Sequence, residues 1–442
     1  MSLAELRDAV AWLESHVDFE RVAPNRAATP TLQPIIDTLT AIGSPQMDYP
    51  VIHITGTDGK GTTSTLTSAL LREMGLAVGT FTSPDLHAIN ERISVNGEPI
   101  SDDALTLVLR RLRDLESVTG ITLTRFEILT VAALLHFSDE GVEVTVIEVG
   151  LGGTWDSTNV INGSVSVLTN VDLDHTAILG PTVEHIARDK VGIFRAAGTA
   201  VLATTDPRVV EIASARADEL GCPLIRLGRD FDVLANDVAV GGRLLTIRTP
   251  RATYDDVVLT LHGAHQGVNA ATALVATEEF IGEAIGEKVV RSAFGHATMP
   301  GRLEVLARSP LVVVDGAHNP AGARALAATL DGAFGVGGVR RVVFGLLNGR
   351  EVVDMVEPLV SAGLTDFHVA APDSPRAMDV GVMVEAIVAA GATACRHDSV
   401  AEALGHAREI ADDADMIVCA GSLYVVAEAR AAALGLPSRL KV

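Results

Sequence analysis

Short apolar runs rich in β-branched residues recur along the first half of the chain and alternate with longer helix-like stretches. The runs are VIHI at 51–54, VTVIEVG at 144–150, VSVLTNV at 165–171 and AVLATT at 200–205. Strand-length runs separated by helix-length segments are typical of βαβ units. The pattern therefore predicts an α/β fold built on a parallel sheet.

The pattern changes between about residues 231 and 261, where short alternating segments such as DVAVGGRLLTIRTP and DDVVLTL are separated by turn residues. Alternation of this kind predicts a small antiparallel patch, which could be an edge addition to the main sheet. A helix-like stretch follows at 267–281, and then a Pro-Gly pair at 300 and 301. Because such pairs interrupt regular structure, we place a domain boundary there.

Beyond this boundary the strand, loop and helix pattern restarts with LVVVDGAHNPAGARALAATL and is repeated in VRRVVFGLL, DFHVAAP and DMIVCAGSLYVVAEARAA. This predicts a smaller, doubly wound, Rossmann-like domain. We therefore divide the chain into residues 1–297 and residues 298–442. A chain of 442 residues exceeds what one hydrophobic core usually supports, which agrees with two domains.

Composition narrows the range of partners. The chain is 48% hydrophobic and 20% charged, and its formal net charge is -22. An acidic balance of this size argues against nucleic acid or an anionic membrane as the main partner. The three cysteines form no CxxC pair, and the acidic N-terminal helix-like segment resembles neither a signal peptide nor a membrane span. We expect a cytoplasmic protein, and a monomer.

A glycine-rich turn, GTDGKGTT, follows the first strand-like run and precedes a helix-like segment. Its three glycines permit backbone amides to close around phosphate oxygens, Lys60 supplies a point charge, and Thr62 or Thr63 offers a hydroxyl to a cation. The spacing departs from GxxxxGK[ST], so a tight strand-to-helix turn is the alternative. The turn does not follow GxGxxG either, which disfavours a dehydrogenase. The first domain is thus predicted to be a P-loop ATPase domain with a parallel sheet.

Lysine is rare in this chain. Only Lys60, Lys190, Lys288 and Lys441 occur, and the other positive charges are arginine. One of the four stands inside the glycine turn, where a compact ammonium suits phosphate and a planar guanidinium would crowd the loop. From its spacing alone, Lys190 would be a solvated charge on a helix surface.

Polar residues follow two predicted strands. Glu148 ends one strand, and Asp172, Asp174 and His175 come directly after the next. The carboxyl ends of neighbouring parallel strands face the same crevice, so Glu148 and His175 could reach a magnesium ion shared with ATP. The alternative is a capped strand-end carboxylate and an ordinary loop histidine.

A series of motifs, in order along nearly the whole chain, resembles those of one family. They are GTDGKGTTS, TSPDLHAINERISVNGEPI, LTRFEILT, IEVGLGGTWDSTNV, LDHTAILGPTVEHIARDKVGIFR, GAHQGVNAATA, PGRLE, DGAHNP and GSLY. In these motifs the chain resembles the folylpolyglutamate synthase/dihydrofolate synthase branch of the Mur ligases. Each motif alone is modest, but their number and order make chance convergence very improbable.

The resemblance implies roles for the matching residues. ATP would be bound by Thr57, Asp58, Gly59, Lys60, Gly61, Thr62, Asn269, Arg302 and Asp315. Two magnesium ions would be ligated by Thr62, Ser83, Glu148, His175 and Lys190, with Lys190 carbamoylated. In that role, Lys190 would not be a solvated charge on a helix surface. The catalytic residues would be Lys60, Lys190 and His318, and the pterin pocket would be lined by Thr124, Phe126 and Asp156.

The implied reaction adds L-glutamate to dihydropteroate, to the γ-carboxylate of reduced folates, or to both. ATP phosphorylates a substrate carboxylate, the amine of glutamate attacks the acyl phosphate, and ADP and phosphate are released. The C-terminal part would be the glutamate-ligase domain. Two other functions stay open, namely a Mur-type ligase acting on another carboxylate and a nucleotide-binding regulator in which Asp58 has spoiled catalysis.

Several residues depart from the family pattern. Asp58 replaces Asn in the loop, Asp85 replaces His, Thr154 and Trp155 replace Arg and Leu, NGRE at 348–351 replaces DKD, and Asp189 replaces Glu. Some of these changes fall beside the expected pterin site, so they bear on the identity of the acceptor substrate more than on the type of reaction. Trp155 could stack on a pterin or fill an emptied arginine site. Arg92 could meet an anionic substrate or lie on a helix surface.

Overall fold

The structure is a computed structural model that describes residues 3–19, 31–335 and 337–436. These residues form an eight-stranded, a three-stranded and a six-stranded sheet. Within the described ranges, every helix is too short or too polar to cross a bilayer. Lys441 lies outside the described residues.

The eight-stranded sheet confirms the predicted parallel α/β architecture. Its strands are β1 Val51–Thr55, β2 Val78–Phe81, β3 Ile93–Val95, β4 Glu98–Pro99, β5 Val144–Glu148, β6 Gly163–Leu168, β7 Thr199–Leu202 and β8 Leu224–Arg226. In the order β4-β3-β2-β5-β1-β6-β7-β8, all neighbours from β2 to β8 are parallel, and β3 and β4 are antiparallel additions. Every residue of β1 and β5 is buried, as expected for central strands covered on both faces.

Helices cover both faces of this sheet. They are α1 Leu3–Glu14, α2 Gln33–Ala41, α3 Lys60–Glu73, α4 Asp102–Thr119, α5 Arg125–Asp139, α6 Thr176–Leu179, α7 Val183–Lys190, α8 Pro207–Leu220, α9 Ala264–Ile281 and α10 Glu287–Gly295. One apolar core contains residues of α3 and α9, and another contains residues of α4 and α5. The loops that follow β1, β5 and β6 carry polar side chains.

The predicted antiparallel patch exists, but the suggestion that it extends the main sheet is wrong. Strands β9 Asp232–Ala239, β10 Gly242–Arg248 and β11 Thr253–Leu259 form a separate sheet in the order β11-β10-β9. Apolar side chains from β10 and β11 pack in the same core as α9. The small sheet therefore covers a helix layer, because its alternating pattern provides one apolar face that must be buried.

The six-stranded sheet contains β12 Glu304–Arg308, β13 Leu311–Val314, β14 Arg340–Phe344, β15 Asp366–Val369, β16 Thr393–Arg396 and β17 Met416–Ala420. Its helices are α11 Pro320–Ala333, α12 Val352–Ser361, α13 Val380–Ala389, α14 Val400–Glu409 and α15 Leu423–Leu434. In the order β12-β13-β17-β14-β15-β16, only β12 is antiparallel to its neighbour. The predicted doubly wound unit is confirmed, and the division at residues 297 and 298 stays a prediction.

A buried histidine in the central strand gives the fold a dependence on pH. His53 in β1 pairs through Nε2 with Thr158 Oγ1 at 2.8 Å. Burial, and secondarily the charge of Arg195, lower the pKa of His53 from 6.5 to about 3. Below pH 6.5 the unfolded chain gains a proton that the folded chain does not, so stability is lost as the pH falls through this range.

Between pH 7 and pH 5, the wild-type protein is expected to lose about 2 kcal/mol more free energy of unfolding than His53→Gln. Urea unfolding at the two pH values measures the difference. The exposed His296→Gln is the control and should behave as the wild type does. Equal losses in all three proteins would show that His53 is not buried as a neutral ring.

Candidate active site

The glycine turn places a helix N-terminus at the carboxyl end of β1. Helix α3 begins at Lys60, directly after Gly59 in a left-handed conformation with φ 80°. A Cβ atom at Gly59 would lie 2.5 Å from Asn269 Oδ1, so only glycine fits there. The loop is held by Asn170, whose carbonyl accepts from the N–H of Thr57 at 3.0 Å and whose Oδ1 accepts from that of Asp58 at 2.8 Å. Amides at such a helix start form a binding site for anions.

Two lysines converge on this turn. Lys60 Nζ donates to the carbonyl oxygens of Gly56 at 2.9 Å and Thr57 at 3.0 Å, and Lys190 Nζ donates to the same Gly56 oxygen at 2.8 Å. Lys190 is 3% exposed, so the interpretation of it as a surface charge is wrong. Burial, followed by the nearby charge of Lys60, lowers the pKa of Lys190 to about 7. A large share of this amine is therefore neutral near pH 7.

Glu148, the last residue of β5, is buried against the first turn of α3. Its Oε2 accepts from the backbone N–H of Ser83 at 3.3 Å, and a Cβ atom at Gly61 would lie 3.5 Å from the same oxygen. Burial raises the pKa of Glu148 to about 7, and the charge of Lys60 is the main opposing effect. A buried carboxylate beside a phosphate-type loop is a suitable ligand for a hard cation.

His175 and Asp174 lie in the loop after β6. His175 has a left-handed backbone (φ 49°) and precedes the short helix α6, and burial lowers its pKa to about 4, so its ring is neutral at pH 7. Asp174 accepts from Arg350 Nη1 at 2.5 Å and lies 3.8 Å from His318 Nε2. Burial alone would raise the pKa of Asp174, but His175, Arg350 and His318 outweigh it and hold the pKa below its ordinary value.

The loop after β13 faces this cluster from the six-stranded sheet. Asp315 accepts from the N–H groups of Leu303 at 2.9 Å and Ala317 at 2.8 Å, and its pKa is raised by burial. Asn319 caps α11 and also donates through Nδ2 to Asp58 Oδ1 at 3.1 Å. The contacts Asn319–Asp58 and Arg350–Asp174 thus connect the two large sheets on either side of the phosphate-type loop.

His318 lies between these contacts. Its Nδ1 is 2.8 Å from the carbonyl oxygen of Gly316, and burial lowers its pKa. A neutral ring that donates from Nδ1 to this carbonyl keeps a lone pair on Nε2. His318 can therefore accept a proton on the side that faces Asp174.

One continuous cleft joins these groups. All residues of the predicted site line it: Thr57, Asp58, Gly59, Lys60, Gly61, Thr62, Ser83, Thr124, Phe126, Glu148, Asp156, His175, Lys190, Asn269, Arg302, Asp315 and His318. Two further residues, Arg350 and Asn319, had no predicted role. Arg350 lines the cleft, and Asn319 donates to Asp58, which also lines it. The departure at 348–351 was a signal for Arg350, but its partner is 176 residues away.

The residues at the expected pterin end have structural hydrogen bonds of their own. Thr124 caps α5 in a reciprocal capping box with Glu127, and Asp156 accepts from the backbone N–H groups of Leu151 and Thr158. The ring of Phe126 lies against Gly150, where a Cβ atom would come within 2.5 Å of Cζ. These contacts fix the wall of the cleft.

Two residues that depart from the family pattern, Asp85 and Trp155, line the cleft. Arg92 is 2% exposed and donates through Nε to Asp85 Oδ1 at 2.6 Å, so the helix-surface interpretation of Arg92 is wrong. The unusual Asp85 is thus half of a buried ion pair. The ring of Trp155 lines the cleft with 54% of its surface exposed, which leaves it open to a planar ligand.

Comparison with known proteins agrees with the fold. The family descriptions "Mur ligase middle domain" and "Mur ligase, glutamate ligase domain" match residues 54–277 and 301–423. The dihydrofolate synthase/folylpolyglutamate synthase of Mycobacterium tuberculosis is 36% identical over 380 residues, which cover 81% of this chain and 77% of that protein. The folylpolyglutamate synthase of Lacticaseibacillus casei is 34% identical over 423 residues, covering 93% and 96%.

Solved structures give the same result. Mycobacterium tuberculosis folylpolyglutamate synthase complexed with ADP superposes with a TM-score of 0.90 at 33% identity and covers 98% of both chains. Escherichia coli FolC in complex with DHPP and ADP superposes with a TM-score of 0.85 at 29% identity, covering 95% of this chain and 96% of that one. The fold and cleft thus define a Mur ligase. More narrowly, the chain belongs to the folylpolyglutamate synthase/dihydrofolate synthase family.

Proposed function

We propose that this protein is an ATP-dependent ligase that adds L-glutamate to dihydropteroate, to the γ-carboxylate of reduced folates, or to both, through an acyl phosphate. The observation that carries this proposal is the single cleft in which the Lys60 loop, the buried Glu148 and Lys190, and the wall around Phe126 meet. The nucleotide would bind at the Lys60 loop and the aromatic acceptor beside Phe126. Relatives in complex with ADP, and with ADP and DHPP, support the same arrangement.

ATP would bind with its phosphates on the loop amides from Thr57 to Thr62 and on the Lys60 ammonium. Asn269 lies beside this loop and would contact the nucleotide together with Arg302 and Asp315. Because Arg302 and Asp315 belong to the second half of the chain, nucleotide binding would hold the two large sheets together. Enclosure of an acyl phosphate between them would exclude the water that hydrolyses it.

The donor set fits magnesium. Glu148 supplies a buried carboxylate, Thr62 and Ser83 supply hydroxyls, and His175 supplies a neutral ring nitrogen. Magnesium usually takes few protein ligands together with phosphate oxygens and water, so this set suffices. The metal would neutralise charge that develops on the transferring phosphoryl group.

Lys190 is proposed to carry a carbamate that serves as a ligand of a second magnesium ion. Carbon dioxide reacts with a neutral amine, and burial gives Lys190 a pKa of about 7. The resulting carbamate would bring oxygen ligands to the Gly56 turn, where the amine already points. An uncharged or negative group would also relieve the repulsion between Lys190 and Lys60.

The reaction needs no nucleophilic side chain. A carboxylate oxygen of the acceptor attacks the γ-phosphorus of ATP, the bond to ADP breaks, and the Lys60 ammonium stabilises the charge on the phosphoryl oxygens. The amine of glutamate then attacks the acyl carbon, and collapse of the tetrahedral intermediate forms the amide and expels phosphate. His318 Nε2 is proposed to accept the proton that the amine loses.

We further propose that the protein acts as a cytoplasmic monomer on small molecules alone. The alternative substrate is a different carboxylate, which Asp85, paired with Arg92, and the exposed Trp155 would favour, since Asp85 and Trp155 stand where the family has other residues. ADP release in the presence of ATP, Mg²⁺ and L-glutamate, with and without dihydropteroate or tetrahydrofolate, separates the two. Release that requires a pterin supports the main proposal, whereas release without a pterin, or no release in any sample, directs the search to other carboxylates.

The carboxylate of Asp58 is expected to weaken ATP binding, because it lies in the phosphate loop and accepts from the neutral amide of Asn319. Asp58→Asn should lower KM for ATP by about fivefold and leave kcat nearly unchanged, since one repulsive charge is removed from a partly exposed position beside the phosphates. Initial rates over a range of ATP concentrations test this. The control is Asp37→Asn, which makes the same change at an exposed position on α2. An increase in KM would instead mean that Asp58 helps to bind ATP with its metal.

A further inference from the structure

Three histidines outside the substrate cleft converge on one point of the six-stranded sheet. His368 lies in β15, His397 follows β16, and His406 lies in α14. His368 Nδ1 is 3.0 Å from His397 Nε2 and 3.4 Å from His406 Nδ1. One nitrogen from each ring can be chosen so that all three lie within 4.8 Å of one another. None of the three residues lines the substrate cleft.

Hydrogen bonds among the three rings cannot satisfy all of the ring nitrogens. A neutral imidazole nitrogen carries either one hydrogen or one lone pair, so His368 Nδ1 cannot pair fully with both neighbours. On its other side, His368 Nε2 is buried and has no hydrogen-bond partner in the described part of the chain. Three lone pairs directed at a common cation would satisfy the facing nitrogens together.

The spacing matches a tetrahedral metal centre. Metal–nitrogen bonds of about 2.0–2.1 Å place neighbouring ligand nitrogens about 3.3–3.4 Å apart in a tetrahedron. The observed separations of 3.0 and 3.4 Å bracket this value. His397 and His406 are partly exposed, which provides a path for an ion and for a water molecule in the fourth position.

The surroundings also suit a cation. Asp366 Oδ2 lies 3.9 Å from His368 Nε2, on the side away from the other two rings. At this distance the carboxylate makes no hydrogen bond to the ring, but it adds negative charge beside the three histidines. Arg341 binds the same Asp366 oxygen at 3.1 Å and opposes the effect, whereas Asp398 and Glu402 add negative charge near His397.

We propose that His368, His397 and His406 form a site for one divalent transition-metal ion of the Zn²⁺ type, with an open fourth position. A site made of three imidazole ligands excludes magnesium and calcium, because these ions take oxygen ligands. The ion would link α14 to β15 and to the segment after β16, and would thereby stabilise the outer edge of the six-stranded sheet. This proposal does not depend on the reaction catalysed in the cleft.

Cobalt titration of the full-length protein, after removal of metals with a chelator, tests the site. Wild-type protein should show a visible absorption band of tetrahedral Co²⁺ that Zn²⁺ abolishes. His397→Ala and His406→Gln should each weaken Co²⁺ binding at this site at least about tenfold. The matched control is His296→Ala, which removes an exposed histidine from the end of α10 and should bind as the wild type does. Circular dichroism establishes that each variant is folded.

Stoichiometry separates this site from any cobalt held by His175 in the cleft, because that ion would persist in all four proteins. At a Co²⁺ concentration just sufficient to saturate the wild type, the wild type and His296→Ala should bind more Co²⁺ per chain than His397→Ala, by up to one ion. Zn²⁺ should raise the Tm of the wild type and of His296→Ala more than that of His397→Ala. Equal stoichiometry and equal Tm shifts in all four proteins would overturn the proposal.

Discussion

Lys60→Ala is expected to lower kcat by about 10²–10³-fold, the size of effect found when one group that stabilises transition-state charge is removed. The Lys60 ammonium stands at the start of α3, with the loop carbonyls of Gly56 and Thr57 holding it in place. In the proposed reaction its charge is needed most when the phosphoryl group is between donor and acceptor. The loss should therefore fall on kcat more than on the affinity for the acceptor.

Two variants sharpen this test. Lys60→Arg keeps the charge but replaces a compact ammonium, which donates to two loop carbonyls, by a planar guanidinium, so it should also be severely impaired. Lys288→Ala removes an exposed lysine on α10 and should retain full activity. Steady-state release of ADP provides the rates. Near-normal activity of Lys60→Ala would contradict the assignment of the phosphate site.

Lys190→Ala is expected to cost activity on a similar scale, about 10²–10³-fold, because a metal ligand that stabilises developing charge would be lost. If the functional group is a carbamate, a short carboxylate such as acetate or formate should restore part of the activity by occupying the emptied space. Rates of ADP release with increasing concentrations of each carboxylate measure the rescue. Lys190 is buried at the wall of the cleft, so the added carboxylate would bind in the space left by its side chain.

Lys190→Arg distinguishes a carbamate from a simple positive charge. A guanidinium does not form a carbamate at neutral pH, so this variant should be inactive and should not respond to added carboxylates. Activity of Lys190→Arg close to the wild-type level would mean that the ammonium itself acts. Absence of rescue in Lys190→Ala, in protein that circular dichroism shows to be folded, would count against the carbamate.

Local sequence patterns were sufficient for most of the fold. The runs that become β1, β5, β6 and β7 are apolar because each strand is covered by helices on both faces. The edge strand β16 was not predicted, since its residues Thr393–Arg396 are mostly exposed and carry no apolar signature. The pattern also identified the strands of the small antiparallel sheet without showing where that sheet would pack, because alternation specifies a buried face and not its partner.

The candidate site depended on contacts between distant parts of the chain, which local patterns do not encode. Lys190 looked like a surface residue at the end of α7, yet its partner Gly56 is 134 residues away. The ion pair of Arg350 became visible only when the fold brought Asp174, 176 residues away, to it. The family motifs implied that Lys190 lies in the cleft, where it is found, because they carry information about a shared three-dimensional arrangement, and its role as a carbamoylated metal ligand stays a prediction.

Mass analysis of the acceptor after reaction tests the central proposal most directly. Purified protein is incubated with ATP, Mg²⁺ and L-glutamate, together with dihydropteroate in one sample and tetrahydrofolate in another. The expected product is an acceptor heavier by one glutamyl residue in at least one sample, formed in equal amount to ADP and absent with Lys60→Ala. ADP formation without any change in the mass of either acceptor would contradict the proposed function and direct attention to another carboxylate.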